Sequence, residues 1–536
     1  MTTIDAHVGA STQAKGTRPS FVAAIGNWVT SSDHKKIGRI FIGCSLLFAL
    51  SPSVLGALFG FERMSPDSTG ILGSGAVTQL VSLFHFDLVF GVLAPLFIGI
   101  AIAVVPMQVG ARSIAFPRLA QYSLWAWLFG SALVATSLLG NGGPGGGSSN
   151  MVDLYFLGVG LTIVGLVAAS ISIATTVLTA RAPGMSLDFV PPFSWAALVA
   201  SIATIVSLPV ALSTIIYVYV DHTHAALAMG GKDITNALSF ALGQPQTFVF
   251  VVMALGVLAE LAPITARVRQ PLRPIVLVGL SLVTTAVLGA VTQTDHLVSW
   301  SGAGAAKSVI PFLIFSGLPL LGVLISIAVS VLSLKEGKPA INGQFALAVL
   351  GALMILVGVA GNFLQNVKSA NLTGTVFSEA VTVYLVYGGL LAAMGAVAHW
   401  APKLWGRTLP ADKLLALGGL GLLGTIAAAF PLYIAGFSNQ PVDAIGSFNY
   451  DGPIALWNAL SGIGHAVIAL VVIAFIALLI DAVRNGAQAA DDPWNAHTLE
   501  WAIPSPAPVN NFAELAQVGS PEPVLDAKPA SQEVSA

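Results

Sequence analysis

Charge is what this sequence has least of. Only 9% of its 536 residues are Asp, Glu, Lys or Arg, 55% are hydrophobic, and the mean hydropathy is +0.85. A water-soluble domain carries about 25% charged residues. This chain cannot cover itself with polar surface, and its composition calls for lipid as solvent. The net charge of −2 and the lack of a basic domain leave no basis for nucleic-acid binding. Cysteine is nearly absent: the single Cys44 excludes a disulfide framework and a cysteine-built metal site. The opening stretch MTTIDAHVGASTQAKGTRPS has no apolar core, so no cleavable signal peptide is expected from it.

Long apolar runs dominate the rest. Their spacing predicts an all-α membrane protein with twelve spans at 37–60, 78–105, 121–140, 151–179, 191–218, 237–263, 273–293, 308–334, 343–363, 376–400, 413–437 and 453–482. Helices follow from the length of the runs, because a helix in lipid satisfies its own backbone. Frequent glycine (55 residues), as in GGLGLLG at 418–424, predicts close helix contacts. The expected organisation is an N-terminal segment 1–36, a membrane domain 37–483 and a polar C-terminal tail 484–536, extended or partly disordered. With twelve spans both termini share one side. Of the 22 Lys and Arg, only Arg63, Lys232, Lys307 and Lys368 fall on the other side, which predicts cytoplasmic termini. Trp300 and Trp400, near span ends, read as interfacial anchors.

Several segments, in order along the chain, resemble subunit I of cytochrome c oxidase in the heme-copper oxidase family. They are SSDHKKIG (31–38), VGARSIAFPRL (109–119), VDLYFLGVGL (152–161), TARAPGMSL (179–187), HWAPKLWG (399–406) and DDPWNAHTLEWAIPSPAPVNNFAEL (491–515). The resemblance implies a twelve-transmembrane-helix bundle of the heme-copper oxidase subunit I type. It also implies a bacterial plasma-membrane location and a place among respiratory oxidase subunits resembling subunits II and III.

That family holds two hemes and a copper on six histidines. Bis-imidazole ligation suits electron transfer, and a single axial imidazole leaves an iron open to oxygen. Carried over position by position, the ligands are not here. The sixth-helix motif Gly-His-Pro-Glu-Val-Tyr falls on Gly243, Gln244, Pro245, Gln246, Thr247 and Phe248. The copper-binding His pair falls on Gln293 and Thr294, and the His-Phe-His of helix ten on Ala380, Val381 and Thr382. One candidate survives: His85, in FHFDLVFGV, resembles the helix-two ligand of the low-spin heme. Its partner across that heme would be Thr382, a weak axial ligand. No cofactor is therefore expected, with one heme at His85 as the alternative; copper is not expected.

Intramembrane charge costs about 2.5–3.5 kcal/mol on insertion scales, so Asp87, Glu260 and Glu379 need reasons. They read either as parts of a proton or cation path, or as structure: Asp87 paired with His85, Glu260 reaching the interface, Glu379 capping a helix turn. His222 and His224, in an expected outer loop, read as surface residues or as two metal ligands lacking a third. Three functions stay open. The first is a cofactor-depleted relative with a structural or regulatory role beside other subunits, a catalytic subunit I or a supercomplex. The second is a catalytic terminal oxidase subunit, and the third a proton- or cation-conducting protein.

Overall fold

The structure is a computed structural model that describes residues 26, 28–65, 72, 74–144, 146–224, 242–270, 272–291, 297–299, 305–442, 445, 452–514 and 517–528. Among them eleven helices are long and apolar enough to cross a bilayer: α1 His34–Glu62, α2 Ala76–Gln108, α3 Pro117–Leu139, α4 Ser149–Thr179, α5 Pro192–His224, α6 Pro245–Ala266, α8 Lys307–Glu336, α9 Gly343–Gln365, α10 Val376–Trp405, α11 Ala411–Phe437 and α12 Ile454–Asn485. The seventh expected span is α7 Leu272–Val291. No strand is present among the described residues.

The apolar pattern explains who sits inside. The apolar windows of α2, α6 and α10 are buried at 100%, 94% and 94% of their residues, whereas α8 and α12 bury 33% and 39%. A helix that is apolar all round and buried all round belongs at the centre of a bundle. The others turn one face to lipid. Glycines let these helices meet: a Cβ on Gly60 of α1 would lie 2.5 Å from the Gly462 Cα of α12. One on Gly464 would lie 2.0 Å from the Ala428 backbone nitrogen of α11. α2 contains a wide π turn over Asp87–Leu93, and α8 a second over Leu313–Gly317.

Within the polar tail, the described residues 491–514 are packed on the bundle. Residues 491–514 fold back over the end of the bundle, with a 3₁₀ turn at Leu499–Ala502 followed later by a short helix, α13, at Pro523–Asp526. Leu499, Trp501 and Phe512 are buried there. Lys35 at the start of α1 donates to the Val509 carbonyl (3.1 Å) and to Asn511 Oδ1 (3.0 Å). The start of α1 and the C-terminal segment therefore lie at the same end of the molecule.

Candidate functional site

Two buried polar clusters stand out, one at each end of the central helices. The first is at the end remote from the C-terminal segment. Arg63 caps α1, and Glu379 lies in the first turn of α10. The guanidinium grips the carboxylate with both arms, Nη1 to Oε1 at 3.0 Å and Nη2 to Oε2 at 2.9 Å, with both side chains under 5% exposed. Nη2 also donates to the Val442 carbonyl (3.2 Å). The Arg63 carbonyl accepts from Asn458 of α12, which pairs with Gln440 at 3.0 Å. Glu379 is thus neither a helix cap nor alone, and Arg63, expected in an outer loop, is an interior residue.

Deeper in the bundle, Tyr387 of α10 meets His465 Nδ1 of α12 at 2.6 Å. The His465 ring lies edge-on to Phe84, whose ring in turn neighbours that of His85. His85 is half-buried on α2. Asp87 accepts from Ser51 of α1 at 2.5 Å and lies within the π turn. Arg63, Tyr387 and His465 carried no sequence signal as a group. Their partners are 316 and 78 residues away in the chain.

The positions that align with heme and copper ligands are placed as follows. Ala380 and Val381 are fully buried on α10. The Thr382 hydroxyl donates to the Ser378 carbonyl of its own helix (3.3 Å). Gln246 is buried and accepts from Ser207 of α5 (3.5 Å). Gln244 opens its helix after Gly243, with its side chain outside the described residues, as are Gln293 and Thr294 altogether. α2 and α10 touch directly at Gly389, where a Cβ would come within 2.4 Å of Leu93 Cδ1. Among the described residues no three His, Cys, Asp or Glu side chains converge as a metal site.

The second cluster joins the far end of α6 to the C-terminal segment. Glu260 is 4% exposed and Glu500 is 0% exposed. Glu260 does not reach an interface. Its Oε2 accepts the Phe193 N–H (3.3 Å) and its Oε1 the Thr498 hydroxyl (3.4 Å). Glu500 Oε1 accepts from Gln108 Nε2 (3.0 Å) and Trp400 Nε1 (3.2 Å). Ser194 holds the Gln108 amide oxygen at 2.7 Å, which turns its NH₂ group toward Glu500. Burial pushes the Glu500 carboxyl up from its ordinary range. Trp400, read as an interfacial anchor, is instead 0% exposed and donates into this cluster. Trp300 lies outside the described residues. His222 and His224 lie at the end of α5 and not in a loop, and His222 Nδ1 pairs with Asp153 at 3.0 Å.

A bundle of membrane helices with three central members buried over almost all of their apolar length, closed at one end by its own C-terminal segment, defines an integral polytopic membrane protein. Residues 36–487 match the family of cytochrome c and quinol oxidase polypeptide I, and the chain belongs to that family. It is similar to a putative cytochrome c oxidase subunit 1-beta of Streptomyces avermitilis, with 27% identity covering 93% of this chain and 92% of the relative. It is similar at 25% identity to cytochrome c oxidase subunit 1 of a Bacillus strain, PS3, covering 92% of this chain and 82% of the relative. A probable cytochrome c oxidase subunit 1-beta of Nocardia farcinica shares 26% identity, over 93% and 87%. The chain is thus a heme-copper oxidase subunit I homologue and a multi-pass membrane component of the respiratory-chain type.

Proposed function

We propose that this subunit I homologue has lost the binuclear centre and acts structurally or in regulation within a bacterial respiratory complex, without itself reducing oxygen. The observation that carries the reading is on α10. Where the family places two heme ligands, this helix presents Ala380 and a Thr382 hydroxyl already committed to its own backbone. The residues present do not fit the family's hemes. An axial ligand needs a free, basic lone pair, and neither an alanine nor that hydroxyl offers one. The direct contact of Leu93 with Gly389 fills space between α2 and α10 with protein.

What remains suits a scaffold. Lipid-facing helices, an intact C-terminal closure and family-like loops are the surfaces by which such a chain would meet subunits resembling subunits II and III, or a catalytic subunit I. The Arg63–Glu379 pair and the Tyr387–His465 bond tie α1, α10 and α12 together without a cofactor. The plasma membrane with both termini in the cytoplasm is the location the Lys and Arg distribution supports.

The test is a reduced-minus-oxidised spectrum and a metal assay on the purified chain with its native partners, compared with a preparation lacking this chain. The expected result is no heme or copper stoichiometric with this chain. Two hemes and one copper per copy would overturn the reading.

A further inference from the structure

We propose that Glu260 and Glu500 form a proton-binding site that holds a single proton between two carboxyl groups. The site lies where α6 meets the C-terminal segment. The argument begins with the oxygens. Both residues are buried, and the Thr498 hydroxyl lies beside both groups, donating to Glu260 Oε1 at 3.4 Å. The donors that reach the pair are neutral: the Phe193 N–H, Thr498, Gln108 and Trp400. Glu500 Oε2 is fully buried and accepts no hydrogen bond. A carboxylate oxygen left so is costly, and a proton on it relieves both that cost and the repulsion from the neighbouring Glu260 carboxyl.

The surrounding charges do not supply a substitute. Lys403 of α10 acts electrostatically on Glu500 but makes no ion pair with it. Its ammonium is committed to the Asp491 carbonyl (2.7 Å), the Ile503 carbonyl (2.5 Å) and Ser505 Oγ (3.1 Å), and it lies over the Trp501 ring. His497 is engaged by Glu522 at 3.0 Å, which adds another carboxylate to the neighbourhood. His399 of α10 is buried and packed against Trp400, Trp494 and Trp501. Among the described residues no salt bridge reaches Glu260 or Glu500. Two enclosed like charges with only neutral donors ionise in two well-separated steps, and the pair keeps one proton between them.

The inference stands apart from the cofactor question, because it uses neither heme nor copper positions. It also gives this end of the bundle a chemical state that responds to the aqueous phase. The proton is retained while the C-terminal segment is seated. Loss of the proton sets two negative charges against each other across the joint between α6 and residues 498–502.

Infrared difference spectroscopy of the full chain in detergent or lipid tests this. The native-minus-variant spectrum for Glu500→Gln should show one protonated-carboxyl band at neutral pH that disappears on alkaline titration. Glu260→Gln should remove the same band, and the double variant no more than either single one. Should a Gln variant fail to fold, Thr498→Val removes the bridging hydroxyl and should shift that band's frequency and its alkaline midpoint. The absence of a carboxyl band in every difference spectrum would overturn the proposal. So would two independent bands that add in the double variant, or a band abolished at constant pH by sodium, potassium or calcium. The last outcome would make the pair a cation site.

Discussion

The Arg63–Glu379 pair shows what a single charge does in this interior. An Arg fork on a carboxylate is the strongest geometry a salt bridge takes, and here both partners are almost fully enclosed. Such a pair contributes little net stability relative to apolar residues, yet removing one partner strands the other. Glu379→Ala, or Arg63→Ala alone, should therefore destabilise the chain by about 3–5 kcal/mol. Replacing both by Leu and Met should recover most of that loss. Unfolding midpoints in detergent for the two singles and the double check this cycle. Additive losses would mean that the fork is not the unit that matters. The sequence marks Glu379 as needing an explanation because of its depth. It cannot mark Arg63, because a hydropathy boundary places a terminal arginine in a loop, and only the fold brings it to α10.

At the scale of helices, the close contacts are made through glycine. A Cβ on Gly464 would fall 2.0 Å from the Ala428 nitrogen, so Gly464→Ala must push α12 away from α11. The expected cost is about 1–3 kcal/mol, the usual range for overpacking. Gly419 on α11 has nothing within 4 Å of its Cβ position. Gly419→Ala should be neutral, or stabilising by up to about 1 kcal/mol through helix propensity. Thermal unfolding of both variants side by side separates contact from propensity. The helices themselves were legible, because lipid leaves an apolar run of this length only one regular structure, and run boundaries fall within a few residues of most helix ends. One feature was not. The π turn at Asp87–Leu93 depends on how α2 meets its neighbours, and no periodicity announces it. The candidate sites were half legible: Glu260 and Asp87 stood out as charges in apolar runs, but Ser51, Thr498 and Glu500 come from distant segments that only folding assembles.

For the molecule as a whole, the C-terminal segment acts as a closure whose strength depends on protonation. Glu500 has an ordinary carboxyl value of 4.5 and is held above it by burial. The folded state therefore keeps a proton that the unfolded state gives up once pH passes the ordinary range. Stability changes with pH as the difference in bound protons, unfolded minus folded, and that difference is negative here. The contribution is complete below about pH 4.3 and declines as pH rises, until the folded carboxyl itself ionises. Asp526, held low by Ser520 and Arg269, has the opposite sign, but its contribution changes only as pH falls below the ordinary carboxylate range. It is silent in the alkaline direction. The unfolding midpoint of the full chain, followed from about pH 5 to about pH 9, should fall with a slope set by about one proton. Glu500→Gln cannot release that proton, so its slope should be flatter over the same range even where its midpoint at pH 5 is lower. Lys403 interacts with the Glu500 carboxyl, so the difference in slope reports the Glu500 proton together with its effect on that ammonium. Parallel slopes would mean that Glu500 ionises alike in the folded and unfolded states, and that the closure of the bundle owes nothing to a retained proton.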